Sequence, residues 1–228
     1  MCTSLVSNRR KTLIGWNLDI LDMEYRVRPT DAGVFIEIND AAEGWMPLFG
    51  ANARGDFVGM PTCWPHDERS DPQPGRINVI NLDIDLLLRK RSLSDIRKEA
   101  EAGRVCSVPG LTFMGALSDR DGNLLQVVPG QGCRYLAKPR CAVMTNFSPL
   151  EPDRGVHPWM GRDRYETALA RLETAPDDLD VPGVFTILRE AAQTVCPTVV
   201  SMVFDVTDMT VYWCEEQRWD EIRVHRFL

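Results

Sequence analysis

The first nineteen residues restrict the fold more than any other stretch. Thr3, Leu5 and Val6 read as one strand and Thr12-Leu13-Ile14 as a second, with the polar run Ser7-Asn8-Arg9-Arg10-Lys11 as the turn between them. A hairpin this early holds the second residue of the chain inside a sheet instead of leaving it to fray. It also sets Asp19 near the far end of the second strand. The rest of the chain must then supply sheet partners for its own N-terminus.

The residue held in this way is Cys2. Methionine followed by a small residue is normally trimmed, which would leave Cys2 first, carrying a thiol and an α-amine together. A thiol has an ordinary pKa of about 8.5 and needs a base to become a good nucleophile. An α-amine, with a pKa of roughly 7.7–8.0, sits near working pH and can be that base. Asp19 is placed to orient the amine or the thiol. The plain alternative is that Cys2 is a small buried hydrophobe, as most cysteines are.

Composition excludes several function classes. The 228 residues are 44% hydrophobic and 26% charged, an ordinary globular balance that fits one domain over 1–228. A formal net charge of −7 without a basic stripe argues against nucleic acid. Arg89-Lys90-Arg91 reads as a solvated helix end. No apolar run approaches 18 residues, so no membrane span is expected. The N-terminus lacks a signal-peptide pattern, and a cytoplasmic protein is expected. Seven singly scattered cysteines do not form a disulfide framework. His66, His157 and His225 lie far apart and no CxxC occurs, so no metal site is indicated.

Along the chain, residues 23–28 and 34–38 alternate as strands around the turn Asp31-Ala32-Gly33. Two apolar strands flank the hairpin Asn52-Ala53-Arg54-Gly55. Residues 66–75, with two prolines among charges, read as a mobile loop suited to a substrate mouth. Helices are expected over 83–91 and 92–100. Strands resume at 111–117, 124–128, 133–136 and 141–145, the last running into Asn146. Residues 151–159 read as loop. Helices follow at 163–174 and 184–194, with Pro182 at the start of the second. A meander over 198–206, 209–214 and 222–227 closes the chain. Paired helices between strands joined by tight turns predict an α+β fold of antiparallel sheets with helices on their faces. A doubly wound parallel sheet is excluded, as is any GxGxxG or Walker A loop, and no cofactor is indicated.

Four blocks, in order, carry a resemblance. They are Met1-Cys2-Thr3-Ser4, Gly15-Trp16-Asn17-Leu18-Asp19, Gly50-Ala51-Asn52-Ala53-Arg54-Gly55 and Val143-Met144-Thr145-Asn146. A fifth, weaker one is Arg162-Asp163-Arg164-Tyr165. Together the chain resembles the choloylglycine hydrolase family of N-terminal-nucleophile amidases, which includes bile salt hydrolases and penicillin V acylases. The resemblance implies a four-layer αββα sandwich of two antiparallel sheets. It implies that Cys2 is the nucleophile, that Asp19 orients its amine and thiol, and that the Asn146 side chain donates to the oxyanion. It implies that Arg164 holds the constellation. Without the ordered set, Asn146 reads as a strand-end polar residue and Arg164 as a solvated helix arginine.

The chain departs from the family pattern in three places. An arginine is replaced by Trp16, which removes a cation near the thiol and argues against bile salts. A family asparagine falls at about Thr62, whose backbone N–H remains a candidate oxyanion donor. Only seventeen residues separate Asn146 from Arg164, where the bacterial enzymes have a long excursion used in their tetramer. A monomer or homodimer is therefore expected rather than a tetramer. Trp16 and Trp64 are the candidates for contact with a small-molecule acyl amide. The reading is an amidase cleaving linear, non-peptide C–N bonds through a thioester. The alternatives are an acyltransferase, in which an amine replaces water, and a non-catalytic relative that binds an acyl amide or a partner protein.

Overall fold

The computed structural model describes residues 1–227. In chain order the first strands are β1 (Cys2–Asn8), β2 (Thr12–Asp19), β3 (Tyr25–Thr30), β4 (Gly33–Asp40), β5 (Gly44–Asn52), β6 (Phe57–Gly59) and β7 (Thr62–Cys63). A short 3-10 turn at Glu68–Ser70 and β8 (Ile77–Asn78) lead into helices α1 (Val79–Leu87) and α2 (Leu93–Glu101). Then come β9 (Val105–Cys106), β10 (Thr112–Phe113), β11 (Gly115–Ser118), β12 (Leu124–Val128), β13 (Gly132–Leu136) and β14 (Cys141–Met144). Helices α3 (Arg162–Thr174) and α4 (Val181–Glu190) precede β15 (Thr198–Asp205), β16 (Thr210–Glu215) and β17 (Arg223–Arg226).

Two large antiparallel sheets result. One has six strands in the order β14-β1-β2-β15-β16-β17, the other seven in the order β13-β12-β11-β6-β5-β4-β3. Period-2 alternation decides what each sheet buries. On β2, Ile14, Trp16 and Leu18 face the second sheet and meet Ile36, Phe49 and Phe57 there. Leu13 faces the other way and, with Leu5 and Val203, packs on Leu172 of α3 and Leu188 of α4. On the far side, Phe35, Leu117 and Leu125 of the second sheet pack against Leu82 and Leu86 of α1 and Ile96 of α2. The four layers are therefore helices, sheet, sheet, helices, as the sequence reading expects.

Four local expectations differ. The last helix runs over Val181–Glu190, not 184–194, because the Asp180 side chain caps it by accepting from the Gly183 N–H. The first helix runs over Val79–Leu87, not 83–91, because the Asn78 side chain caps it by accepting from the Ile80 N–H. It ends where Arg89 takes a positive φ of 61° and the Lys90 N–H turns back to the Asp85 carbonyl. The strand expected over 111–117 breaks at Met114 into β10 and β11, which join different sheets. Residues 66–75 are not a free lid. Asp67 is fully buried, accepts from Arg69 and Gln131, and pairs with Arg154. Ser70 is buried against Thr112. Buried polar contacts of this kind fix a loop in place.

Among the described residues, no helix is long and apolar enough to cross a membrane. All seven cysteines are unpaired.

Candidate active site

Cys2 opens β1, the second strand from the edge of the six-stranded sheet, between β14 and β2. Its ladder partner is Leu18, so its side chain shares the inter-sheet face with Trp16 and Leu18. The thiol lies 4% exposed at the end of a cavity of about 480 Å³ between the sheets. Burial pushes the thiol pKa up to about 11, against the opposing effect of the nearby α-amine.

The elements beside Cys2 converge on its backbone. Asn146 follows β14, and its side-chain Oδ1 accepts from the Cys2 N–H at 2.9 Å. Arg164, in the first turn of α3, reaches back over the helix start, as side chains on a helix tilt toward its N-terminus. Its Nη1 donates to the Cys2 carbonyl and to Thr3 Oγ1, both at 2.8 Å, and its Nη2 to Asn146 Oδ1 at 2.8 Å. The same guanidinium lies 3.5 Å from the Asp19 carboxylate. A cation at a helix N-terminus opposes the helix dipole; here three acceptors and a carboxylate offset that. Gly161 makes the path possible: it caps α3 with a φ of 66°, and a Cβ there would lie 2.2 Å from Arg164 Nη2.

Asp19 ends β2 and is wholly buried. Its oxygens accept from Thr198 Oγ1 and Gln193 Nε2, each at 2.6 Å. Burial outweighs these donors and Arg164 and lifts its pKa to about 6. Through its backbone, Asp19 also holds Met1. The Met1 amine donates to the Asp19 carbonyl at 2.7 Å, and the Asp19 N–H donates to the Met1 carbonyl at 2.9 Å. Burial works against the charged amine, but the Cys2 and Cys196 thiols and the Asp19 carboxylate hold its pKa above the ordinary value.

The remaining wall comes from β7. Asn146 Nδ2 donates to the Thr62 carbonyl at 2.7 Å. Thr62 lies opposite Phe113, while the Met114 N–H bonds the Pro61 carbonyl. Pairs alternate along an antiparallel ladder, so Thr62 turns both its N–H and its carbonyl away from β10, toward Asn146. Trp64 stacks on His157 at 4.6 Å and meets Trp159 edge-on at 5.3 Å. The two indoles line a second cavity of about 320 Å³. Met1, Leu21, Thr62, Leu111 and Cys196 line both cavities, so the two adjoin and Met1 is one of their shared walls.

The fold thus brings Cys2, Asp19, Asn146, Arg164, Thr62 and Trp64 together. It does not bring Trp16. That indole is fully buried between the sheets, 5.5 Å from the Phe49 ring, and lines neither cavity. The expectation that Trp16 borders the substrate is corrected: Trp16 shares the inter-sheet face of β2 with Leu18, which does line the cavity, but its ring is covered by Phe49 and Gly59, which places it in the core and not in the cavity wall. Thr3, Gln193, Cys196 and Thr198 were missed by the sequence reading; Gln193 and Cys196 sit in a short connection with no motif, and Thr198 opens β15.

The comparisons with known proteins bear on the fold. No family model matches the chain, and no curated sequence matches it. Among solved structures, a mutant of conjugated bile acid hydrolase from Clostridium perfringens superposes with a TM-score of 0.67 at 14% identity, covering 99% of this chain and 92% of that one. The chain has the fold of that hydrolase. A second variant of the same hydrolase gives the same TM-score and identity. Penicillin V acylase from Agrobacterium tumefaciens superposes with a TM-score of 0.61 at 13% identity, covering 94% of this chain and 83% of that one. The α+β sandwich expected from the ordered blocks is therefore the fold of both hydrolases, with its first strand starting at Cys2.

Proposed function

We propose that this chain is an amidase that cleaves linear, non-peptide C–N bonds, with Cys2 as nucleophile once Met1 is removed. The observation that carries the reading is the convergence on Cys2. Its nitrogen is held by Asn146, its carbonyl by Arg164, and its thiol faces a cavity. A merely structural strand start needs none of these. The similarity in fold to a bile acid hydrolase and a penicillin V acylase supports the same reading.

With Met1 in place the thiol is protonated, and Met1 fills part of the wall shared by the two cavities. Its removal makes the Cys2 nitrogen an α-amine, opens space beside the thiol and leaves the Asp19 N–H and carbonyl without their Met1 partners. The α-amine takes the thiol proton, and the thiolate attacks the acyl carbonyl carbon. The tetrahedral oxyanion is met by the Thr62 N–H and by the second N–H of Asn146 Nδ2, whose first is held by the Thr62 carbonyl. The C–N bond breaks, the leaving amine takes the proton, and water hydrolyses the thioester.

The cavity supports a class of acyl group. Leu18, Ile38, Met46, Phe49, Met60 and Phe113 line it, and no Lys, Arg or His does. Among the described residues, its charged side-chain liners are Asp19 and Asp40, both acidic, and its cation is the chain's own α-amine. A neutral, apolar acyl group fits such walls and an anionic one is repelled. The unpaired cysteines favour a reducing compartment, hence the cytoplasm. The short connection between Asn146 and Arg164 favours a monomer or homodimer.

The test is a panel of p-nitroanilides with matched neutral and anionic acyl groups. The Met1-free protein is expected to hydrolyse the neutral members preferentially, and Cys2→Ser to lose most turnover with the fold intact. Preference for the anionic members would contradict the acyl assignment. No turnover of any member would favour the non-catalytic reading.

A further inference from the structure

The connection from α4 and the first residue of β15 each send one side chain to Asp19. Thr198 Oγ1 donates to one carboxylate oxygen and Gln193 Nε2 to the other. The donors are also tied to each other. The Gln193 N–H donates to Thr198 Oγ1 at 2.9 Å, and the Thr198 N–H to the Gln193 carbonyl at 3.1 Å. Gln217 Nε2 donates to that same carbonyl at 2.9 Å, anchoring the connection to the segment after β16.

The ladder between β2 and β15 shows how Thr198 reaches its place. From Asp205 opposite Leu13 to Val200 opposite Leu18 the register is regular. Continued by one residue, it would set Val199 opposite Asp19. Instead the register shifts, and Thr198 pairs with Asp19. A valine has nothing to donate to a buried carboxylate. The bulge leaves Val199 in the inter-sheet core and delivers a hydroxyl to the carboxylate. Bulges beside active sites commonly re-aim a side chain in this way.

We propose that Thr198 and Gln193 are positioning residues of the amidase site, holding the Asp19 side chain fixed and ionised beside Cys2. This rests on the reading of Cys2 as nucleophile. The charged and titratable groups around Asp19 are Arg164 from α3, the α-amine and the Cys2 thiol from the N-terminus, and Cys196 from the same connection. Of these, only Arg164 and the amine favour the ionised carboxylate, and Arg164 stands 3.5 Å away. Burial alone opposes ionisation, so each neutral donor at 2.6 Å matters.

The experiment follows Asp19 directly by NMR, in protein carrying ¹³C at the aspartate carboxyl carbons. The Asp19 signal is assigned by its loss in Asp19→Asn. Wild type, Thr198→Val, Gln193→Leu and Thr198→Ser are titrated, and kcat/KM on a neutral acyl amide is measured across the same pH range. The Asp19 midpoint is expected to rise by about one pH unit in Thr198→Val and Gln193→Leu. Thr198→Ser should keep the wild-type midpoint. The acidic limb of kcat/KM should move with the midpoint, and the alkaline limb should stay. Gln193→Leu, at a half-buried position, supplies the result where Thr198→Val does not fold. An unmoved midpoint in an active enzyme, or a moved midpoint with an unmoved acidic limb, overturns the positioning role alone. A Met1-free wild type that neither turns over amides nor labels at Cys2 overturns the nucleophile reading and the positioning role with it.

Discussion

Replacing Arg164 with methionine separates the structural from the electrostatic work of the site. The guanidinium is 5% exposed and serves the Cys2 carbonyl, Thr3 Oγ1 and Asn146 Oδ1 at 2.8 Å. Methionine keeps much of the volume and supplies no donor. Breaking a buried charge arrangement by removing one partner costs about 3–5 kcal/mol. A domain has a total stability of roughly 5–15 kcal/mol, so the variant should fold but melt well below wild type. Part of the cost depends on pH. Asp19 has a native pKa of about 6, raised by burial above its unfolded value. A raised acid favours folding at low pH, and that contribution is lost as pH climbs from the unfolded pKa to the folded one. Without Arg164 the folded pKa rises further, by about 1–3 units, and the loss continues to higher pH. Near pH 5 Asp19 is largely protonated in both proteins, so the difference there reflects lost hydrogen bonds. At pH 8 the variant should be worse by an additional amount of about 1–3 kcal/mol. Urea denaturation at pH 5 and pH 8 measures both parts. A penalty that is equal at the two pH values, or smaller at pH 8, would refute the pairing of Arg164 with Asp19.

Three further outcomes follow from particular residues. Asp83, buried in α1 with neither oxygen hydrogen-bonded, has its pKa raised well above the ordinary value by burial. Asp83→Asn should therefore raise Tm at pH 8, and the two melting curves should converge near pH 4, since this site destabilises the fold only as pH rises. Asn146→Ala removes the donor read as the oxyanion partner; kcat should fall about 10²–10³-fold, measured on a neutral acyl amide. Trp16→Ala should cost about 3–5 kcal/mol in chemical denaturation. The indole is fully buried and so closely seated that a Cβ on Gly59 would lie 2.6 Å from its ring.

Local signals carried much of this architecture. The N-terminal hairpin, the Asn52–Gly55 turn, the Ser92 cap of α2 and the paired helices are each written in a few adjacent residues. The capping box between Ser92 and Asp95 is an example, since both partners lie within one turn. What failed was long-range or decided by a face. The apolar run before Asp83 hid a helix start that Asn78 caps, because a short apolar run fits strand and helix alike. The polar loop at 66–75 looked mobile, since Asp67 meets Gln131 and Arg154 only after folding. Trp16 lies on the same strand face as Leu18, a cavity liner, so its place in the core is decided by Phe49 and Gly59, which cover it only after folding.

The same division holds at the site. Cys2, Asp19, Asn146 and Arg164 were legible as an ordered set of motifs, and the fold brings them within hydrogen-bond reach or close to it. Gln193 and Thr198 were not legible. Their partner is more than 170 residues away in sequence, and a one-residue bulge decides whether a threonine or a valine faces it.

The central claim is that Cys2 acts as the first residue of the mature chain. Intact-mass spectrometry of native protein, before and after brief exposure to a neutral acyl-amide substrate with acid quench, tests it most directly. The account predicts a mass lower by one methionine residue, and a transient acyl adduct that peptide mapping places on Cys2 and that is absent in Cys2→Ser. Protein that retains Met1 and carries no adduct on Cys2 under native conditions would contradict it.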